Sequence, residues 1–468
     1  MDFIFWFSAL FGIALFLFGS TYLVKRFSGV EAHYIYSIWR MERFRRFMGK
    51  AYFLHRFVDL IAKLGLILGF GVLASDYLFA RKQGLAKRVI IAVLTVASLF
   101  FIYYNTLYFA INIAPLTSNY SALLALVFSV FGISLFGLLL LVINGLHILQ
   151  NILIGETACP GIAPVIPGVQ IPKVPIFIPW YGWIALFFSI IVHESAHGIQ
   201  ILKEKLTLKS AGLLLIGILP IGAFVEPDEE ELKKVEPKKS MRVYSAGPAA
   251  NLLFVVVFWL MGFWFFNTFY QPAAEKYESV YLDLVEKVQI ESVSERIPYC
   301  GNPKAPAYGI LKPGMEIIAI DNIKIENTRQ LKKVLAQRPF AERIFTVRDL
   351  DGKIKEFKIK PNQELGTFGI VVKDVLKEGA KVDEQLLGKL YFIGNIYGFI
   401  MVCFLLSFLL ALVNLLPVIP FDGGKIASTL YATYFLQSTD ERAKKRIEDI
   451  MLYFFLFIAF LNVLPFFL

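Results

Sequence analysis

The chain has few of the residues that build disulfide-rich or highly charged domains. Its 468 residues include three cysteines and five histidines, and 18% of them are charged. Three cysteines cannot form a disulfide framework, and none has the spacing of metal ligands. Cys159 and Cys300 fall in segments predicted to face the same side of a membrane, where they could pair, although two free thiols are the simpler expectation. Cys403 is predicted to pack inside an apolar span.

Apolar residues dominate the composition instead. They make up 57% of the chain, which contains 45 phenylalanines, and this is typical of a polytopic α-helical membrane protein. About eight runs are long enough to span a bilayer, namely 3–24, 57–80, 89–113, 121–149, 181–201, 245–270, 390–417 and 447–468. The run 57–80 carries Asp59, Lys63 and Asp76, so an interfacial or re-entrant segment is the alternative there. The run 121–149 is long enough to tilt or kink.

The net charge of +10 is a guide to membrane orientation, because basic residues gather beside the apolar runs and no nucleic-acid-binding motif accompanies them. The basic residues that follow the first run are Lys25, Arg26, Arg40, Arg43, Arg45, Arg46, Lys50 and Arg56. They predict an outside N-terminus and a cytoplasmic first loop. Alternation then places the proline-rich segment 157–180 outside and segments 202–243 and 423–446 inside. The basic loop 81–88 would lie outside, against the rule, unless the run 57–80 does not cross.

A His-Glu-x-x-His pattern lies inside the apolar run that begins near Tyr181. Residues four apart share one face of a helix, so His193 and His197 can offer ring nitrogens to one Zn²⁺. Glu194, one step round the helix, can act as a base towards water at the same place. In the structural alternative, one histidine bonds a backbone carbonyl and Glu194 pairs with a distant cation. Two histidines and a glutamate are costly in lipid, which favours the metal site.

A catalytic zinc site needs a third protein ligand and keeps its fourth position open. His33 and His55 lie in the first basic loop and His147 lies at the end of a span, so they are poor candidates. Asp422 is a better candidate, because the prolines and glycines around it stop a membrane helix where a carboxylate appears. The alternative is an ordinary helix cap or turn, since Asp-Gly is a common turn dipeptide.

Four blocks of sequence give these residues a shared context. They run from His193 to His197, from Gly222 to Asp228, from Ala246 to Asn251, and from Asn414 to Gly424. In kind and order they resemble the site-2 protease family of zinc intramembrane metalloproteases, in its PDZ-containing form. Residues 1–180 show no clear match to that family.

The resemblance implies one zinc ion bound by His193, His197 and Asp422, with Glu194 as the catalytic base. It also implies hydrolysis of peptide bonds in or near transmembrane segments of membrane-anchored regulatory proteins, which is regulated intramembrane proteolysis. Within the blocks, the amides of Asn251 and Asn414 could orient a substrate backbone or stabilise a developing oxyanion. The alternative for each asparagine is a hydrogen bond to a neighbouring helix.

A helical substrate hides its carbonyl groups, so it must unwind before it is cut. Segment 210–224 is short, apolar and rich in glycine, and a re-entrant hairpin there could pair with the unwound substrate. A short buried segment without a substrate role is the alternative.

The polar segment 271–389 is predicted to form a water-soluble α+β domain outside the membrane. It contains two hairpin turns, Asp321-Asn322 and Asp351-Gly352, and a helix that begins near Thr328. This arrangement resembles a PDZ domain, which could bind a peptide or only gate access to the membrane core.

The chain is therefore divided into five parts. They are an accessory membrane region (1–180), the first half of a catalytic core (181–270), the PDZ-like domain (271–389), the second half of the core (390–425), and a cytoplasmic loop with the last helix (426–468). The expected protein is multi-pass, with its active site near the cytoplasmic side, and its expected partners are the lipid bilayer and a transmembrane protein substrate, not nucleic acid. An inactive scaffold and a transporter are the alternatives.

Overall fold

The computed structural model describes most of the chain. The described residues are 36–113, 121–174, 176–216, 219–297, 303–363, 365–436 and 441–468, with short pieces at 15, 18–23, 25–26 and 30–33. Among them, seven helices are long and apolar enough to cross a membrane, as expected for a polytopic membrane protein. The expected span 3–24 falls mostly outside the described residues.

The helices are α1 (Glu42–Lys50), α2 (His55–Ser75), α3 (Leu85–Ile113), α4 (Ser121–Phe131), α5 (Ile133–Leu153), α6 (Gly182–Lys203), α7 (Glu229–Lys234), α8 (Pro237–Phe265), α9 (Gln271–Leu282), α10 (Thr328–Gln337), α11 (Glu384–Asn414), α12 (Asp422–Tyr431) and α13 (Glu441–Val463). The strands are β1 (Val30–Ala32), β2 (Tyr36–Arg40), β3 (Leu208–Ile216), β4 (Leu219–Pro227), β5 (Val285–Val293), β6 (Glu316–Ile320), β7 (Ile323–Lys324), β8 (Arg343–Arg348), β9 (Ile354–Ile359) and β10 (Ile370–Leu376).

The run 121–149, which is expected to tilt or kink, is divided into two helices. Gly132, with φ of 83°, separates α4 from α5. A side chain at Gly132 would collide with the backbone of Gly69, and one at Gly71 would collide with the carbonyl of Val130. Two interrupted helical segments therefore meet at their glycines, which only a residue without Cβ permits.

The run 57–80 is also interrupted, at Gly71, where φ is 58° and ψ is −136°. Near its start, Lys203 donates to Asp59 at 2.6 Å, and Arg242 lies 3.6 Å from the same carboxylate. Near its end, the Lys238 ammonium donates to the Leu78 carbonyl at 3.1 Å. A straight helix would separate residues 59 and 78 by about 28 Å. Both ends nevertheless contact the first two turns of α8, so the segment doubles back.

The re-entrant alternative therefore fits this segment better than a crossing span. The loop that follows it lies on the same face of the protein as the start of α8. Arg88 of that region forms a bidentate ion pair with Asp76, whose carboxylate also accepts a hydrogen bond from Tyr434. The basic loop 81–88 thus lies on the same side of the protein as segments 202–243 and 423–446. On this side its basic residues agree with the rule that positive charge gathers in the loops of one face.

The predicted hairpin at 210–224 is present as β3 and β4, an antiparallel pair. It belongs to a four-stranded sheet in the order β1-β2-β3-β4. Residues Tyr36–Arg40 of the first basic loop pair with Gly212–Ile216. A segment of the accessory region thus completes the sheet beside the core, and β4 is the edge strand on the far side.

The polar insert folds into a second antiparallel sheet in the order β10-β5-β6-β8-β9, with β7 paired to β6. Both predicted hairpins are present, as β6–β7 and β8–β9. Asp321 and Asn322 form the first turn with positive φ angles of 51° and 67°. Helix α10 begins at Thr328, where the Asn327 side chain accepts a hydrogen bond from the amide of Gln330 at 2.8 Å. The insert is an α+β domain, and its likeness to PDZ domains stays a prediction.

The cysteines differ from the simpler expectation. Cys159 is disulfide-bonded, so the expected free thiol is wrong for this residue. Cys403 is a buried free thiol on α11, as expected. Cys300 lies outside the described residues.

Candidate metal centre

Three side chains that are distant in sequence converge at one point in the core. The Nε2 atoms of His193 and His197 are 3.1 Å apart. The Asp422 Oδ2 atom lies 3.3 Å from the first nitrogen and 3.2 Å from the second. Both histidines are buried, with 4% and 8% of their surface exposed. These three residues are called the ligand triad below.

The triad fits a zinc ion in both geometry and chemistry. Ligands held about 2.0–2.1 Å from a tetrahedral ion are about 3.3 Å from one another, close to the three observed separations. Two imidazoles and one carboxylate form a ligand set of catalytic zinc sites, which keep the fourth position for water or substrate. Among the described residues, these three form the one group of histidine, cysteine, aspartate or glutamate side chains that could hold a metal ion.

Helix α8 packs against the histidines along one face, through Val243, Gly247 and Asn251, which are four residues apart. The Nδ1 atom of His197 lies 2.7 Å from the Val243 carbonyl, and Nδ1 of His193 lies 3.3 Å from the Asn251 side-chain amide. A methyl group at Gly247 would come within 2.6 Å of His193 Nε2 and closer still to His197 Nε2. The glycine therefore leaves open the space in which a metal ion would sit.

Asp422 is the first residue of α12, after a loop that follows the end of α11. The N-cap is the preceding Phe421, and the Asp422 carboxylate lies within 3.3 Å of Nε2 of both histidines. These contacts favour the ligand interpretation over an ordinary helix cap or turn. Side chains at Gly423 and Gly424 would collide with backbone atoms of Leu415 and Val418, respectively. The two glycines let the loop fold tightly over the helix start, which directs the carboxylate towards the histidines.

Glu194 follows the first histidine on α6. Helix α6 packs against β4, and the backbone amide of Val225 on that strand lies near the Glu194 carboxylate. The edge of the first sheet is therefore next to the residue predicted to act as base. This proximity could not be read from the sequence.

The two candidate asparagines differ in their surroundings. Asn251 is fully buried and contacts His193. The Asn414 amide nitrogen instead donates to the Leu410 carbonyl of its own helix at 3.0 Å. The described contacts thus connect Asn251 to the triad and leave Asn414 bonded within α11.

A second buried polar group lies further along α6, and sequence reasoning missed it. Lys203 donates to Asp59 at 2.6 Å and to Glu204 at 3.0 Å, while Arg242 pairs with Glu204 at 2.9 Å. The Gln200 amide donates to both carboxylates. These residues, with Lys63 paired to Asp59 at 2.7 Å, are called the ion cluster. The acidic residues in the apolar run 57–80 were the sequence feature that could have revealed the ion cluster.

Comparison with known proteins decides the family. The profile described as peptidase family M50 matches residues 181–461, which is more than half of the chain and includes the whole triad. The chain belongs to peptidase family M50. This confirms the resemblance to the site-2 proteases, and membership indicates a membrane-bound metallopeptidase.

One relative of this M50 peptidase is an uncharacterized protein of Methanocaldococcus jannaschii. The two are 32% identical over 249 residues, which cover 53% of this chain and 56% of the relative. The chain therefore matches about half the length of that curated protein, which has no established activity to compare.

Proposed function

We propose that this chain is a zinc-dependent intramembrane endopeptidase that cuts membrane-anchored regulatory proteins in or near their transmembrane segments. The convergence of His193, His197 and Asp422 between apolar helices carries the proposal. A buried carboxylate facing two imidazoles is unfavourable in an apolar core unless it serves a purpose. Binding one zinc ion is such a purpose, and it is one that the family membership supports.

In this proposal the triad holds the zinc, and Glu194 moves protons. Zinc supplies Lewis acidity, which polarises a carbonyl oxygen and lowers the pKa of water to about 7. Glu194 takes a proton from the attacking water and passes it to the leaving amine. No covalent bond between the substrate and this chain is required.

Strand β4 is proposed to hold the unwound substrate. It is the edge strand of its sheet, and the Val225 amide lies beside Glu194. Peptides commonly bind proteins by adding a strand to an exposed sheet edge. An extended substrate segment beside β4 would replace its lost helical hydrogen bonds and present a carbonyl near the base.

The centre is proposed to lie near the cytoplasmic face, with the α+β insert on the opposite side. Lys203 and Lys238 lie at the end of α6 and the start of α8, on the same face as the basic loop 81–88. Positive charge of this kind marks cytoplasmic loops. Protease added to intact cells should cut within 271–389 and spare 425–446, and the reverse pattern would contradict this orientation.

Quantitative mass spectrometry of membranes tests the activity. Cells that produce the full chain should accumulate membrane-protein fragments ending within transmembrane segments, and cells that produce Glu194→Gln should not. The variant should still copurify with zinc, because Glu194 is not a proposed ligand. Fragment levels equal to wild type in Glu194→Gln would contradict the proposal.

Ser195→Ala is the matched control on the same helix. The Ser195 hydroxyl is buried and has no hydrogen-bond partner among the described residues. Its removal should therefore leave both zinc content and fragment levels unchanged, which separates loss of the base from general damage to α6.

A further inference from the structure

Helix α8 contacts both histidines at Nδ1, on the edge of each ring that points away from the proposed metal. We propose that Asn251 is a positioning residue, which holds His193 by accepting a hydrogen bond from its Nδ1–H and so presents the Nε2 lone pair to the metal. This inference rests on the proposed zinc site. It replaces the prediction that Asn251 binds substrate or an oxyanion.

The partner of His197 shows what such a group must do. A neutral imidazole carries one proton, so a nitrogen that binds metal requires the proton on the other nitrogen. The Val243 carbonyl oxygen, 2.7 Å from Nδ1 of His197, can only accept a hydrogen bond. The proton of His197 must therefore be on Nδ1. This bond fixes the tautomer in which Nε2 is free to bind metal.

His193 needs an equivalent acceptor, and Asn251 is placed to provide it. Asn251 lies on the same face of α8 as Val243, about two helical turns further along. The Asn251 side chain is fully buried, and its Oδ1 atom has no hydrogen-bond partner among the described residues. A buried, unpaired carbonyl oxygen is costly, so one partner is expected close by.

A half-turn of the Asn251 amide would give His193 Nδ1–H an acceptor and the amide oxygen a hydrogen-bond partner. As placed, the amide nitrogen lies 3.3 Å from His193 Nδ1, an arrangement that leaves the ring proton on Nε2. Rotation of the amide exchanges its oxygen and nitrogen, which are close to each other in size and shape. Oδ1 then accepts from Nδ1–H, and the lone pair moves to Nε2. Asparagine can thus serve either tautomer, whereas a residue that only accepts would favour the metal-binding one.

The distinction between accepting and donating makes the inference testable. Aspartate at position 251 can accept from Nδ1–H but cannot donate to a substrate oxygen. Leucine, which has a similar shape, can do neither. A bond to a substrate carbonyl or to an oxyanion requires a donor, so Asn251→Asp should fail in that role and succeed in the positioning role.

The measurement is zinc affinity of the purified full chain, by competition with a chromophoric chelator. Asn251→Leu should bind zinc about 10–100-fold more weakly than wild type, the usual effect of removing an outer partner of a ligating histidine. Asn251→Asp should bind zinc at least as tightly as wild type. Wild-type affinity in Asn251→Leu would overturn the inference, and so would an equal loss in both variants.

Ser245→Ala is the control for damage to α8. Ser245 is fully buried on the same helix and donates to the Ala62 carbonyl at 2.9 Å, away from both histidines. It should lose stability but keep wild-type zinc affinity. If Asn251→Leu does not fold, the comparison of Asn251→Asp with Ser245→Ala still decides, because weakened zinc binding in the aspartate variant alone contradicts positioning.

A second readout addresses the tautomer itself. The chain has five histidines, so ¹⁵N-labelled imidazoles can be assigned by substitution. In the zinc-loaded wild type and in Asn251→Asp, Nδ1 of His193 should be protonated. Failure of wild type to bind any zinc would defeat the proposed function, whereas unchanged zinc affinity in the Asn251 variants would defeat only this inference.

Discussion

Two buried polar clusters lie on α6 and α8, and their charges are arranged in opposite ways. In the ion cluster, Asp59 and Glu204 are matched by lysine and arginine partners at 2.6 to 3.0 Å. In the ligand triad, the single carboxylate faces two histidines, and no lysine or arginine pairs with it among the described residues. In the ion cluster each carboxylate is paired with cationic side chains, whereas in the triad three donor atoms converge with no lysine or arginine among the described residues to pair with them.

The two clusters are neighbours, but we expect the ion cluster to govern the stability of the fold and the triad to govern metal binding. Gln200 and Lys203 follow His197 by one to two turns of the same helix, and Arg242 directly precedes Val243. Removing one partner of a buried ion pair leaves an uncompensated charge and destabilises the fold. Removing a metal ligand should instead abolish the effect of zinc.

The largest effect on zinc binding is expected for Asp422→Ala. Its zinc affinity should fall by more than the roughly 100-fold that loss of an outer partner costs. Zinc should then no longer raise the melting temperature, because a ligand stabilises only the state that it binds. The metal-free protein should melt close to wild type. A zinc-dependent rise as large as that of wild type would remove Asp422 from the triad.

Gly247→Ala should weaken zinc binding next most strongly. Its methyl group would occupy the space beside both Nε2 atoms, and overpacking costs about 1–3 kcal/mol, or about 10–100-fold in affinity. Gly262→Ala is the matched control on α8, where a methyl group would meet the flexible end of Met401 at 3.0 Å and Ile400 at an ordinary contact distance of 3.6 Å. Equal zinc affinities in the two variants would show that the glycine does not keep the site open.

Glu204→Ala should act on stability and not on zinc. The side chain is 4% exposed, and its loss leaves Lys203 and Arg242 without one of their partners, so the free energy of unfolding should fall by about 3–5 kcal/mol. Denaturation of the metal-free protein measures this change. Loss of zinc affinity without loss of stability would mean that the ion cluster belongs to the metal site.

The smallest effect is expected for Lys63→Met, at the rim of the ion cluster. The Lys63 side chain is 33% exposed, so water screens its pair with Asp59, and Lys203 still compensates that carboxylate. The free energy of unfolding should fall by less than about 1 kcal/mol, with zinc affinity unchanged. A change as large as that of Glu204→Ala would mean that the rim pair is as important as the buried one.

The two histidines could be predicted from a local signal, whereas Asp422 was assigned as a ligand through the resemblance to the site-2 proteases. The spacing of His193 and His197 places both rings on one helix face, and the glycines after Asp422 mark the end of a loop. The contacts of α8 were less accessible. Asn251 was noticed in the sequence, but which group its amide touches depends on how α8 packs against α6.

The accessory region was the least predictable part of the fold. Apolar runs reveal length, but they do not reveal whether a segment crosses or doubles back, and the breaks at Gly71 and Gly132 are set by their mutual contact. The pairing of Tyr36–Arg40 with β3 joins residues that are far apart in sequence. Neither arrangement has a local signal, because each depends on a partner elsewhere in the chain.

X-ray absorption at the zinc edge of the purified full chain tests the central claim most directly. The account predicts one zinc per chain, with two imidazole nitrogens at about 2.0–2.1 Å and carboxylate oxygen at about 2.0–2.2 Å. These signals should be lost in Asp422→Ala. Purified wild-type protein that takes up no zinc, or zinc with sulfur or a single imidazole in its coordination shell, would contradict it.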